Sequence, residues 1–315
     1  MKKLAEEVGL QLTNIADKYP DISVLDGDLA DSDGAFYFAD AYPERFLMSG
    51  ISEQNMISMA AGMASTGKRP FAFSFAAFLC YRAYDQIRVS ICQTKMPVTL
   101  VGSHAGGLAG RNGKTHTAVN DMAVMLTLPD MQVWAPADND DVTYMLSQIM
   151  SYSEPAYIRA SRAPIGEQHA LGGRPSELRW VFPKRKINIV SCGIASQWSK
   201  QVIEQLHLQG CDIGLLHCLH VNQVEQLQDE LADSEQLIVI EDHCKLGGLA
   251  SLIQMLDIKA HISGFGWPIS FCGKSGDDEQ LREAYGLSQE QLVKAIIKLH
   301  FTNIKSASSK IVEQV

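Results

Sequence analysis

No stretch of this 315-residue chain approaches the roughly 18–20 consecutive apolar residues that a membrane-spanning helix needs. No Lys/Arg-rich run offsets its formal net charge of −9, so neither nucleic acid nor an anionic membrane is an expected partner. The seven cysteines (Cys80, Cys92, Cys192, Cys211, Cys218, Cys244 and Cys272) form no Cys-x-x-Cys pair and no Cys/His array. An odd, scattered set of this kind reads as reduced thiols in a cytoplasmic protein, not as a disulfide frame or a zinc site. None of the nine histidines falls in a His-Glu-x-x-His spacing, and no glycine loop is followed by the Gly-Lys-Ser/Thr of a nucleotide-phosphate cradle. The N-terminus, MKKLAEEVGLQL, carries Glu6 and Glu7 behind its lysines, the pattern of an amphipathic helix and not of a signal peptide. The composition is that of an ordinary globular protein, with 46% hydrophobic and 20% charged residues, and it is long enough for two domains with cores of their own.

What is present alternates between strand and helix. Short apolar runs at 22–25, 71–75, 98–102, 131–134 and 156–160 read as strands, with helical patterns at 52–66, 78–95 and 117–127 between them. APADNDD, at 135–141, supplies a turn and cap residues for a further helix to about Tyr152. Buried strands separated by helices imply a parallel sheet covered on both faces. The pattern fades in the Gly/Pro-rich stretch 164–184, read as a connection between a first domain, 1–163, and a second, 185–315. The second unit repeats the α/β alternation, with strands at 187–191, 212–216 and 236–240 and helices at 195–208 and from Gly248.

Several side chains in the first unit carry chemical potential. In SGISEQNM, at 49–56, Glu53 enters a helix whose Met56, Met59, Ala60 and Met63 mark a buried face. It is either a first-turn acid that complements the helix dipole or a buried carboxyl. Burial demands pairing, or a protonated form that can donate a hydrogen bond. Phe73, Phe75, Phe78, Tyr81 and Tyr84 cluster where a strand becomes a helix, as core or as a slot for a flat heteroaromatic ring. His104 and His116 flank a loop with four glycines, either as surface residues or as an active-site rim. Asp26-Gly27-Asp28 and Ser32 follow the first strand. Parallel sheets bind ligands at the carboxyl ends of their strands, which suits all of these positions.

Seven ordered segments tie these pieces together: LDGDLADS (25–32), RFLMSGISEQNMISMAAGMA (45–64), PFAFSFAAFLCYRAYDQIR (70–88), VGSHAGGLAGRNGKTH (101–116), PDMQVWAPAD (129–138), AYIRASR (156–162) and EDHCKLGGLAS (241–251). Over roughly residues 5–295 the chain resembles the C-terminal half of transketolase, and more closely the separately encoded C-terminal subunit of split transketolases. The resemblance implies an α/β fold of two domains: a thiamine-diphosphate pyrimidine-binding domain, followed by the transketolase C-terminal domain. It implies that Glu53 is the acid that hydrogen-bonds the cofactor's aminopyrimidine nitrogen and favours the imino tautomer. Phe75, Phe78 and Tyr81 match the aromatic residues around that ring, and Asp28 an aspartate close to the cofactor. His104 and His116 match histidines that bind donor hydroxyls and steady charge on the reacting oxygen. The family's Gly-Asp-Gly…Asn segment, which grips the diphosphate through a divalent metal, is missing. The resemblance therefore implies a cofactor shared with an N-terminal-half partner subunit that carries Mg2+ or Ca2+, in an α2β2 assembly. No metal ligand is expected in this chain.

The substrate side departs from the family pattern. Arg162 matches one phosphate-binding arginine and Ser32 a serine of that site, but the second arginine falls at Ala5, with only Lys2 and Lys3 nearby. Asn112 stands at an acidic position of the histidine loop, Arg111 replaces an acidic residue and Lys114 a proline. Two cations in place of a carboxylate suggest a sugar or sugar-phosphate substrate other than the pentose phosphates, with an anionic group elsewhere. The expected activity is transfer of a two-carbon ketol unit from a ketose to an aldose. The alternatives are the β subunit of a 2-oxo-acid dehydrogenase, an enzyme like 1-deoxyxylulose-5-phosphate synthase (which Arg82-Ala83-Tyr84-Asp85-Gln86 also resembles), or a scaffolding subunit without catalysis.

Overall fold

The computed structural model describes residues 2–108, 110–162, 164–270 and 275–299; at Gly110 and Arg111 it describes the backbone only. Helix α1 (Leu4–Ile15) and strand β1 (Ile22–Asp26) lead into the short helices α2 (Ala30–Asp33) and α3 (Phe36–Ala41). Then follow β2 (Phe46–Met48), α4 (Glu53–Ser65), β3 (Arg69–Phe75), α5 (Tyr84–Gln86), β4 (Thr99–Ser103), α6 (Asp121–Leu126), β5 (Gln132–Trp134), α7 (Asn139–Ile149) and β6 (Ala156–Ala160). The six strands form one sheet in the order β2-β1-β3-β4-β6-β5, and every pair is parallel.

Alternation along the strands explains the two covered faces. Val24, Phe71 and Phe73 turn to one side, where α1 and α7 supply Leu4, Val8, Leu12, Val142 and Met145. Leu25 and Ala72 turn to the other, against Met56, Ile57, Ala60 and Ala64 of α4. The period-2 side-chain geometry of a strand therefore reads directly as two apolar layers. Helix α7 starts where expected: the Asp138 carboxylate accepts the Asp141 N–H at 2.9 Å and caps it.

Two expected helices come out differently. The pattern at 78–95 is not one helix but α5 between two π-type turns, Phe78–Arg82 and Ile87–Cys92. Each wide turn absorbs an extra residue, a feature frequent at functional sites. Helix α6 begins only at Asp121, because Ala118 is used to bridge back to Ala105 and Gly106.

The second domain holds β7 (Leu178–Phe182), β8 (Ile187–Ser191), α8 (Ile194–Leu208), β9 (Ile213–Cys218), α9 (Val224–Leu231), β10 (Gln236–Cys244), α10 (Leu249–Gln254), β11 (His261–Trp267) and α11 (Asp278–Ala284). Its sheet runs β11-β10-β8-β9-β7 and is parallel except for β7 on β9. Strand β7 lies inside the stretch read as a connection.

The domains are joined by more than that connection. Leu25, Met56, Leu100 and Val133 of the first share a continuous core with Val190, Leu216, Leu237 and Val239 of the second. Backbone bonds cross as well: Ala135 N–H to Leu219 O at 2.8 Å and Val221 N–H to Val133 O at 2.9 Å. A buried polar clasp adds to them. Asp141 accepts Arg179 at 2.7 Å and lies 3.0 Å from His217 Nε2, and His217 Nδ1 meets Ser196 Oγ at 2.7 Å. Ser196, His217 and Asp141 have the composition of a hydrolytic triad, but all three are fully buried, which leaves them a structural role. Burial alone would raise the Asp141 carboxyl; His217 and Arg179 outweigh it and hold the group below its ordinary range. Six cysteines are free and buried; Cys272 lies outside the described residues.

Candidate active site

Because all six strands of the first sheet are parallel, their carboxyl ends share one edge, and every candidate residue follows one of those ends. Asp28 and Ser32 follow β1, Glu53 follows β2, Phe75 ends β3, Phe78 and Tyr81 come after it, His104 follows β4, and Arg162 follows β6. This is the edge at which open parallel sheets bind ligands.

Glu53 is the first residue of α4. Gly50, at φ +69°, and Ser52, whose hydroxyl donates to Ser49 O at 2.7 Å, fold the chain so that the acid turns inward. Its exposure is only 1%. One carboxylate oxygen, Oε2, accepts Arg82 Nη1 at 2.7 Å. The other, Oε1, is buried and has no partner. Leaving such an atom unpaired costs about 1–3 kcal/mol. Arg82 had no place in the sequence-based site. It ends the first π-type turn, and its guanidinium also lies 4.4 Å from the centre of the Phe78 ring.

From Phe78 the aromatic cluster continues without a break. Phe75 and Phe78 stack with centroids 5.6 Å apart. His104 lies 4.1 Å from Phe75, and His116 stands edge-on to both rings at 5.6 and 5.2 Å. Glu53, Phe75, Phe78, His104 and His116 are thus linked through Arg82 into one group. His104 adopts a left-handed backbone at φ +55° and is buried. Burial, with the positive charges of Arg162 and Lys3 added, pushes its imidazole down to about 3. His104 is therefore a neutral hydrogen-bonding group at working pH. His116, half-buried, meets the Thr115 hydroxyl at 2.7 Å.

The other candidates stand around this group. Tyr81 is partly exposed, and its hydroxyl donates to Asn120. Asp28 is exposed at φ +69°, a turn shaped by the buried Asp26, whose carboxylate accepts the Leu29 N–H at 2.7 Å. Ser32 and Arg162 are half-buried, whereas Asn112 and Lys114 are exposed. The Arg111 side chain lies outside the described residues. Ala5, where the second arginine would fall, is a buried residue of α1. Lys3 bridges to Pro164, two residues beyond Arg162, so a second cation reaches this region from a neighbouring position. Among the described residues, no three His, Cys, Asp or Glu side chains cluster as a metal ion would need.

The description "Transketolase, pyrimidine binding domain" matches residues 2–167. A protein of Methanocaldococcus jannaschii named as a transketolase C-terminal section is 31% identical, over 94% of this chain and 96% of that protein. The chain belongs to the transketolase family. A subunit of a 6-deoxy-6-sulfo-D-fructose transketolase from Clostridium sp. (strain MSTE9) is 30% identical, over 90% of both chains. Among solved structures, a split-gene transketolase described as an inactive beta4 tetramer matches with TM-score 0.80 and 30% identity, over 94% of this chain and 97% of that one. A 1-deoxy-D-xylulose-5-phosphate synthase of Clostridium tetani is 30% identical over 92% of this chain, which spans 48% of that enzyme. The transketolase of Campylobacter jejuni shares the fold, with TM-score 0.81 at 18% identity over 46% of its length. The two-domain α/β architecture read from the sequence is thus that of a transketolase C-terminal section.

Proposed function

We propose that this chain is the catalytic C-terminal subunit of a two-component transketolase, and that it completes a thiamine diphosphate site begun by an N-terminal-half partner. The observation that carries this reading is Glu53: a buried acid with one oxygen fixed by Arg82 and the other unmatched, beside an aromatic wall. The residues fit the pyrimidine end of the cofactor. Glu53 Oε1 would meet the ring nitrogen through a hydrogen bond, and Phe75 and Phe78 would pack against the ring and exclude water. Thiamine diphosphate, when bound, supplies the nucleophilic carbon that opens a ketose between its second and third carbons. His104, as a neutral donor, and His116 hydrogen-bond the donor sugar's oxygens and steady developing charge there. Arg82 orients Glu53, and Asp28 and Tyr81 would stand near the cofactor.

The diphosphate and its Mg2+ or Ca2+ belong to the partner in this reading, in an α2β2 assembly. Leu47, Met48 and Ile51, just before Glu53 in the chain, and Tyr81 are all at least 42% exposed, apolar surface that a partner would cover. Arg162, Ser32 and Lys3 would receive the anionic end of the sugar, with Asn112 on a hydroxyl. That assignment agrees with a relative acting on a sulfonated ketose. The relatives named 1-deoxy-D-xylulose-5-phosphate synthase, together with the resemblance of Arg82-Ala83-Tyr84-Asp85-Gln86 to that family, support a second reading, an enzyme of that kind with a 2-oxo acid as two-carbon donor. The test is to reconstitute the chain with an N-terminal-half subunit and cofactor, and to offer fructose 6-phosphate or pyruvate with an aldose acceptor. Ketol transfer from the ketose, absent with either subunit alone, is expected. Turnover of pyruvate only would move the assignment to the second reading, and no turnover of either would refute both.

A further inference from the structure

The second domain reaches into the site through the end of one strand. Strand β10 pairs with β8 only as far as Ile240 and then runs on through Glu241, Asp242, His243 and Cys244, all buried. This overhang contacts the first domain at successive points around the histidine loop. Asp242 Oδ1 accepts the Gly107 N–H at 2.9 Å and the Trp267 indole N–H at 2.6 Å. The Asp242 carbonyl accepts Arg159, which is itself tied to Asp121 at 2.9 Å. The Cys244 N–H donates to Val119 O at 2.6 Å, and the Ala123 N–H reaches His243 Nε2 at 3.3 Å.

The loop is moulded to this surface. A Cβ on Gly106 would lie 1.9 Å from Asp242 Oδ2, and one on Gly107 would lie 2.2 Å from Trp267 Cε2. Gly106 is also paired with Ala118, its N–H donating to Ala118 O at 2.8 Å, so the pinned segment closes the base of the loop that carries both histidines. A glycine-rich loop left alone would sample many conformations, whereas a reacting sugar must be met within about 0.5 Å.

We propose that the second domain positions His104 and His116 for the sugar, with Asp242 as the positioning residue and Trp267 as the wall that fixes the loop. Its catalytic part rests on the transketolase reading given above. Asp242 is buried and acts through the Gly107 N–H. The brace should therefore affect sugar recognition and leave the Glu53 pocket alone.

The test uses the full chain carrying Asp242→Ala, which removes the acceptor of the Gly107 N–H, or, as a gentler change, Trp267→Phe, which removes the indole donor and keeps an aromatic ring. Hydrogen exchange of peptides spanning 104–118 is read on the chain, followed by kcat, KM for the ketose and thiamine diphosphate affinity on the reconstituted pair. The expected result is at least tenfold faster exchange in 104–118 and at least a tenfold rise in ketose KM, with cofactor affinity unchanged within twofold. Unchanged exchange in that segment for both variants overturns the brace. A parallel loss of cofactor and sugar binding also overturns it, because it would report general loosening. If the unmodified pair transfers no ketol, the functional reading fails by itself, and the exchange data still decide whether the brace exists.

Discussion

Glu53→Gln should separate what the acid does for folding from what it does for chemistry. In the isolated chain the carboxylate contributes two opposing effects. Its charge-assisted bond to Arg82 at 2.7 Å would be worth about 1.5–3 kcal/mol if fully desolvated. The Arg82 side chain is 45% exposed, so screening brings that toward about 1 kcal/mol. Against it stands the buried, unpartnered Oε1, which costs about 1–3 kcal/mol. Glutamine keeps the shape and can still accept from Arg82, so stability should change by less than about 1 kcal/mol. Activity should behave otherwise, because an amide cannot exchange a proton with the pyrimidine. The loss should be about 10²–10⁴-fold, equivalent to about 3–5 kcal/mol of transition-state stabilisation. Urea unfolding of the isolated chain and ketol transfer by the reconstituted pair measure the two quantities. Activity within tenfold of the parent would remove Glu53 from the mechanism. A stability loss above about 2 kcal/mol would show instead that the acid is a folding element.

Arg82→Gln removes the cation that fixes Glu53 while sparing the aromatic rings, and should lower kcat about tenfold or more with the ketose KM little changed; steady-state kinetics on the pair read the split. Asp141→Asn strands Arg179 and His217 in the buried clasp and should cost about 3 kcal/mol in urea unfolding, because one partner of a buried ionic group is lost. Burial lowers His104 to about 3 and His220 and His243 to about 4, from an ordinary 6.5, so the unfolded chain takes up protons first. Their contribution is complete above pH 6.5 and falls as pH drops toward 4, by about 1.4 kcal/mol per pH unit for each, while Glu241 and Asp242, raised by burial to about 7 and about 6, oppose it over the same range. Proton NMR titration of the imidazoles in the folded chain isolates the effect, and a His104 resonance that titrates above pH 6 would contradict the buried, neutral histidine.

Local patterns made much of the first domain legible. Met56, Met59, Ala60 and Met63 announce a helix with one apolar face, and ISVLD and FAFSF announce strands covered on both sides. Glu53 could be singled out because a carboxyl at the head of such a helix is chemically costly. Contacts between distant residues were not legible. Arg82 stands 29 residues from Glu53, and only the wide turn ending at Arg82 brings them together. Gly107 and Asp242 are 135 residues apart, and EDHC at 241–244 looks like any strand end until β10 is seen to outrun its neighbour. Strand β7 was hidden in a Gly/Pro-rich stretch, and the half-buried HISGFGW of β11 offers no apolar run to mark it. Arg162 and Lys3 come close through a backbone bridge that no spacing rule anticipates.

Deuterium exchange at the acidic carbon of thiamine diphosphate, followed by proton NMR after acid quench, addresses the proposed division of labour most directly. The N-terminal-half subunit with cofactor should show slow exchange. Adding this chain should accelerate it at least a hundredfold, and the Glu53→Gln form should bind the partner without doing so. Equal acceleration by the Glu53→Gln form, or by this chain and cofactor with no partner present, would contradict a carboxyl and a diphosphate grip contributed by two different polypeptides.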